Sequence, residues 1–176
     1  MKKIIVMNGS NNKKSINMTL AKHAFSFLND SESMIVDLSQ VFLPLYNPIL
    51  EDEKGIPSEA KEVDKKIEAA DGIILSLAEY NGSYSGAFKN TFDWLSRINV
   101  KVWKNKPMLL MSTSPGKGGG SHVSQTAKTA FPHYGGNIVA EFSLPSFSKN
   151  FEAGEITDDQ LKSELLNQVE LFQQKL

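Results

Sequence analysis

Five short apolar runs, each followed by a stretch with apolar residues at helical spacing, constrain this chain more than any other feature. The runs occupy residues 4–7, 33–38, 72–77, 108–112 and 137–142. Runs of this length between polar loops read as buried strands. Leu20, Ala21, Ala24, Phe25 and Leu28 predict a helix from Asn17 to about Leu28. A second helix starts at Pro57-Ser58-Glu59, with Ser58 as expected N-cap and Val63, Ile67 and Ala70 on one face. Phe88, Phe92 and Leu95 mark a third within 87–98, and a fourth runs from about His122 to Phe131, stopped by Pro132. The last shows Leu161, Leu165, Val169, Phe172 and Leu176, opened by a capping box of Thr157 and Gln160. Residues 42–48 are too proline-broken for a regular element, Glu51-Asp52-Glu53 reads as a solvated loop, and 146–155 as a polar connector.

Strict alternation of strand and helix predicts an α/β protein with one parallel sheet covered on both faces, because parallel strands need long crossovers. The expected strand order is 2-1-3-4-5, in one domain spanning residues 1–176. Ligands in such sheets sit beyond the carboxyl ends of the strands, at the point where the order reverses. Three polar, glycine-bearing loops leave such strand ends: 9–17, 79–86 and 112–120. Together they predict one ligand site.

Composition narrows the chemistry. A net charge of -1 with 22% charged residues offers no global field for nucleic acid or anionic lipid. With no cysteine, disulfides, thiolate metal sites and thiol redox catalysis are excluded, so any redox chemistry needs a cofactor. His23, His122 and His133 are too scattered for a metal site. The apolar run at the N-terminus is too brief for a signal peptide, and no stretch is long enough to cross a bilayer. The expectation is a cytoplasmic protein without nucleic-acid or membrane partners.

The first loop suits an anion. It precedes a helix, so free N–H groups and the positive helix end face it. Ser10, Asn12, Ser15 and Asn17 add neutral hydrogen-bonding groups, and Lys13 and Lys14 add charge. An ordinary strand-to-helix turn capped by Ser15 is the plain alternative. The triphosphate loop G-x-x-x-x-G-K-[ST] fails here, since Lys14-Ser15 follows Gly9 one residue too soon and the second glycine is missing. The dinucleotide fingerprint G-x-G-x-x-G fails as well, with only Gly9 present.

Glu79-Tyr80-Asn81-Gly82-Ser83, followed by Lys89-Asn90 and Asp93-Trp94-Leu95-Ser96, resembles the NAD(P)H-dependent FMN reductases of the flavodoxin-like fold. That group includes quinone, chromate and azo-dye reductases. The likeness extends back through Leu43-Pro44-Leu45-Tyr46-Asn47 and the first loop. Two departures stand out: Ala78 replaces the usual proline before the glutamate, and Asn11 stands where many members carry arginine. The resemblance implies a flavodoxin-like three-layer sandwich. It also implies that Ser10, Ser15, Asn17 and the backbone of Met18 hold the FMN phosphate. Glu79, Tyr80, Asn81 and Gly82 would line the flavin ring, with Ser114, Lys117, Gly118 and Gly119 approaching from the other side. It further implies ping-pong hydride transfer from NADPH or NADH through FMN to a small-molecule acceptor, without a catalytic protein residue. Two other readings compete: a flavodoxin-like electron carrier, against which the weak net charge argues, and a cofactor-free binding module.

Remaining residues have plain expectations. His23 reads as a surface residue, His122 as a helix start beside the glycine loop, and His133 as exposed or structural. Phe92 and Trp94 are expected to pack, and Trp103 to cover a sheet edge. Tyr80 and Tyr84 either flank the flavin or pack at an interface, and Lys117 either solvates or meets a ligand. The 87–98 helix carries Ala87, Trp94 and Ile98 beyond its main stripe. That surplus predicts a second burial surface, most simply a twofold homodimer; the resemblance implies a homodimer or homotetramer, with residues 42–50 shaping the partner's pocket.

Overall fold

Alternation along single strands decides the layering. In a computed structural model describing all residues 1–176, Ile4 and Val6 of the first strand face one side of a sheet, and Ile5 and Met7 face the other. In chain order the elements are β1 (Lys2–Asn8), α1 (Ile16–Phe25), β2 (Ser31–Val36), α2 (Pro48–Lys54), α3 (Ser58–Ala69) and β3 (Gly72–Leu77). Then come β4 (Glu79–Tyr80), β5 (Ser83–Tyr84), α4 (Gly86–Ile98), β6 (Pro107–Thr113), α5 (Ser121–Ala130) and a 3-10 turn (Phe131–Tyr134). The chain closes with β7 (Asn137–Leu144), α6 (Phe147–Asn150), β8 (Phe151–Glu152), β9 (Glu155–Ile156) and α7 (Asp159–Gln173).

The main sheet has the order β2-β1-β3-β6-β7, and every pair in it is parallel. Counting only its long strands, this is the expected 2-1-3-4-5, the flavodoxin-like arrangement. One core joins Ile5, Met7, Ile73, Leu75 and Leu110 to Val63 and Ile67 of α3, Phe88, Phe92 and Leu95 of α4, and Val123 of α5. The other joins Ile4, Val6, Ile74 and Leu109 to Leu20 and Ala24 of α1 and Leu165, Val169 and Phe172 of α7. Helices therefore cover both faces, as buried parallel strands require. The strand ends reach the switch point between β1 and β3.

Several local expectations are corrected. Ser58 is the first residue of α3 rather than its cap; Pro57 precedes it, and the Ser58 hydroxyl donates to Glu59. Asp158, not Thr157, caps α7 by accepting the Leu161 N–H at 2.9 Å. The acidic run lies on α2, which Asn47 caps and Pro48 starts, both ordinary roles for those residues. The 146–155 connector contains α6 and leads into the β8–β9 pair. Trp103 is fully buried in an aromatic cluster with Phe88, Phe92 and Phe131, 4.8 Å from Phe131, rather than over an edge.

The apolar surplus of α4 is satisfied within the chain. Trp94 is fully buried, meets Tyr46 edge-on at 5.0 Å, and donates from Nε1 to the Pro44 carbonyl at 2.8 Å. Asn90 accepts the Tyr46 N–H at 2.8 Å and donates to Pro44 O at 3.0 Å. Glu51 binds both Arg97 and the Tyr46 hydroxyl. Residues 43–46 are thus held on α4 largely by their backbone, and Phe42, Leu45 and Ile49 are left exposed.

His23 is buried between Phe27 and Phe151, contrary to its expected surface position. Its Nε2 has no partner, and burial lowers its pKa below the ordinary 6.5, opposed by nearby Glu155 and supported by Lys162. As pH falls below that ordinary value, the unfolded chain takes the proton before the folded one does. Stability should therefore drop as pH falls, until the folded form also titrates. Urea midpoints from about pH 7 to about pH 5 should show this slope in wild type and a shallower one in His23→Gln. Phe88→Ala, at the centre of the aromatic cluster, should cost about 3–5 kcal/mol in urea denaturation.

Candidate functional site

The first loop starts tightly packed on the end of β3, where the Gly9 N–H donates to Ser76 O at 2.8 Å. A Cβ there would lie 3.0 Å from Ala78 N and Leu77 Cα. Ser10 is buried and its Oγ accepts the Asn12 N–H at 3.1 Å. Asn12 in turn accepts the Lys14 N–H at 2.9 Å, so two short turns shape residues 10–14. Ser15 caps α1 by accepting the Met18 N–H at 3.2 Å. The N–H groups of Lys13 and Ser15 have no partner within the protein, and those of Ile16 and Asn17 in the first turn have no intrahelical acceptor. Lys13 and Lys14 are exposed beside them.

Two expected phosphate ligands are already occupied. The Met18 N–H is taken by Ser15. The Asn17 side chain is buried, and its Oδ1 accepts from Ser76 Oγ at 2.7 Å and from Thr113 N–H at 3.0 Å. Its Nδ2 donates to Thr113 O at 3.2 Å. Asn17 therefore ties α1 to the ends of β3 and β6 instead of facing a ligand with its side chain.

The second loop is a hairpin. Glu79 pairs with Tyr84 and Tyr80 with Ser83, while Asn81 and Gly82 turn at φ 52° and 76°. Both central residues at positive φ make this the tight turn for which Asn-Gly is preferred. The Asn-Gly dipeptide was the available signal for it. Tyr84 is packed inward on Phe88 and Phe131, and burial pushes its hydroxyl up to about 12. Tyr80 stands outward, with its hydroxyl 3.3 Å from Ser10 Oγ. The Glu79 side chain reaches α5 and accepts the N–H groups of His122 and Val123 at 2.9 and 3.1 Å.

The third loop is held rather than flexible. The Gly119 carbonyl accepts from Ser112 Oγ at 2.7 Å and from Ser143 Oγ at 2.9 Å. Gly119 turns at φ 58°, and a Cβ on it would clash with Ser143. It is buried as structure, while Lys117 and Gly118 are exposed on the same loop. Ser114 is half-buried, and its hydroxyl donates to Gly116 O.

The three loops enclose a cavity of about 290 Å³. Ser10, Asn12, Ser15 and Asn17 line it from the first loop, Glu79 and Tyr80 from the second, and Ser114 from the third. Lys14, expected to add charge there, and Ala78, noted beside the glutamate, also line it, as do Ile16, Thr113 and Pro115. Asn81, Gly82, Lys117, Gly118, Gly119 and Met18 lie outside this lining. Gly82 instead borders a shallow cleft along α5 with His122. No group of three or more His, Cys, Asp or Glu side chains is placed to hold a metal.

The pattern of the NADPH-dependent FMN reductase family matches residues 2–149 of this chain. The chain is 32% identical to NADPH:quinone oxidoreductase of Arabidopsis thaliana over 94% of its length and 89% of that protein's. It is 31% identical to a quinone reductase of Escherichia coli K12 over 67% of its length, spanning 63% of the length of that relative. Its fold superposes on FerB, a flavoenzyme NAD(P)H:(acceptor) oxidoreductase from Paracoccus denitrificans, with a TM-score of 0.79 and 29% identity, covering 99% of this chain and 96% of that one. These likenesses define an α/β flavoprotein class of oxidoreductases. The chain belongs to the NADPH-dependent FMN reductase family, whose cofactor is FMN and whose co-substrate is NAD(P)H.

The residues fit that cofactor. Uncommitted N–H groups at a positive helix end, two serine hydroxyls and Lys14 make a donor set for a phosphate monoester. Asn17→Ala would leave Thr113 N–H, Thr113 O and Ser76 Oγ short of partners in a buried setting. It should lower stability by about 3 kcal/mol, whereas Ser15→Ala should cost about 1 kcal/mol through the lost cap. Paired urea unfolding curves without added flavin check both values.

Proposed function

We propose that this protein is an FMN-dependent NAD(P)H oxidoreductase that reduces a small-molecule acceptor such as free flavin, a quinone or an azo compound. The observation that carries this reading is the convergence of the uncommitted N–H groups at the start of α1 with the β4–β5 hairpin and Ser114 on one cavity. The flavin supplies the hydride chemistry when bound, with NAD(P)H and acceptor taking turns in a ping-pong cycle. The chain supplies position. Ser10, Asn12, Ser15 and the first-turn N–H groups would hold the phosphate, Lys14 would add positive charge, and Tyr80 and Ser114 would border the bound cofactor. Asn81, Gly82, Lys117 and Gly118, exposed on the same two loops, would contribute outside that cavity.

The names of the relatives favour a quinone as acceptor. No helix is long and apolar enough to cross a membrane, and the proposed setting is the cytoplasm. Phe42, Leu45 and Ile49, 74%, 81% and 66% exposed, support a homodimer or homotetramer built on that segment. Sedimentation of the purified protein at micromolar concentration tests this; a monomer rejects it.

If the reading is right, protein mixed with FMN retains it through gel filtration, and anaerobic NADPH bleaches the flavin absorbance. Riboflavin, which lacks the phosphate, should bind at least about tenfold more weakly than FMN. Equal affinity for the two would remove the first loop from the site. Retention of FMN without oxidation of NADPH or NADH in the presence of a quinone would make the protein an electron carrier instead.

A further inference from the structure

Glu79 is the only carboxylate among the residues lining the cavity. Its side chain is 20% exposed, and Oε2 accepts the N–H groups of the second and third residues of α5. The helix has no cap of its own. Gly120 occupies the cap position at φ 82°, and a Cβ there would lie 2.9 Å from Ser112 Cβ, so packing excludes a capping side chain. The first turn of α5 carries no acidic residue either. A carboxylate of β4 therefore takes the place of the missing cap, and Glu79 itself lines the cavity while His122 and Val123 stand outside that lining. The positive end of a helix would favour an anion. Glu79 covers that end with its carboxylate, whose Oε1 stands 3.4 Å from His122 Nδ1.

We propose that Glu79 sets the balance of affinity between oxidised and reduced flavin. This rests on the FMN reading above. Reduced FMN carries a negative charge on its ring system that oxidised FMN lacks. By covering the positive end of α5, Glu79 withholds stabilisation from the reduced form and favours its onward reaction with the acceptor. Glu79 is thus a positioning and charge-setting residue. It tethers the β4–β5 hairpin to α5.

The test is the ratio of dissociation constants for oxidised FMN and for FMN reduced anaerobically with dithionite. Wild type is measured first, and failure of wild type to bind FMN overturns the functional reading and this inference together. With FMN bound by wild type, Glu79→Gln, which keeps the shape and one acceptor oxygen, should shift the ratio several-fold toward the reduced form. Ser121→Asp in the Glu79→Gln protein returns a carboxylate to the first turn of α5 and should move the ratio back. A purely structural Glu79 would weaken both forms alike, and an unchanged ratio in a Glu79→Gln protein that still binds FMN overturns the inference while leaving the oxidoreductase reading intact. Should Glu79→Gln not fold, Ser121→Asp alone decides the matter. It should shift the ratio several-fold toward the oxidised form, and no shift overturns the inference.

Discussion

The site depends on one buried amide. Asn17 sits in the first turn of α1, yet its side chain joins Ser76 on β3 to both backbone groups of Thr113 on β6. Parallel strands end without a shared turn, so nothing in the sheet ladder itself fixes how their loops approach one another. Asn17 supplies that fix with one acceptor and one donor. With its amide satisfied in the interior, it exchanges solvent bonds for a defined geometry, and removing it strands its partners. The helix start, the hairpin and the third loop are thereby held around the same cavity.

The loops divide the remaining work in a consistent way. Buried polar groups on the floor bind protein, and exposed or unpaired ones above face outward. Asn17, Met18 N–H and Gly119 O are all taken by internal partners. Lys13 N–H, Ser15 N–H and the exposed lysines are not. The same split runs through the hairpin, where Tyr84 is locked in the aromatic core and Tyr80 projects over the cavity. A flat cofactor that brings its own chemistry needs little more than such a rigid, donor-bearing rim.

How much of this was legible in the sequence follows from the range of each interaction. The five strands and the covering helices came from periodicity, because buried faces repeat along the chain, and the strand order came from the arrangement common to such parallel sheets. The location of the site came from three polar loops after apolar runs. What failed to show were choices made between competitors at short range or across long separations. Ser58 and Thr157 are reasonable caps by type, but Pro57 and Asp158 hold the positions. The helix that starts at Pro48 was masked by Pro44 before it and by Pro48 itself, although Asn followed by Pro is a start signal. Asn17 looked like a ligand because its partners lie 59 and 96 residues away, and no local pattern announces them. His23 looked like surface for a similar reason: its cover includes Phe151, far along the chain.

The segment after β2 shows how a surplus in sequence can have two outlets. The extra apolar residues of α4 pointed to a second burial surface, and Trp94 does find one, under residues 43–46 of its own chain. Yet that cover brings apolar residues of its own. Asn90 and Trp94 bind backbone groups of the segment, so its side chains are free to face outward, and Phe42, Leu45 and Ile49 do so. The apolar surface has been moved outward by one layer rather than removed. Exposed apolar residues on a backbone held in place lose little entropy on association. In the proposed assembly, the segment's rigidity would favour association more than the same residues on a loose loop would.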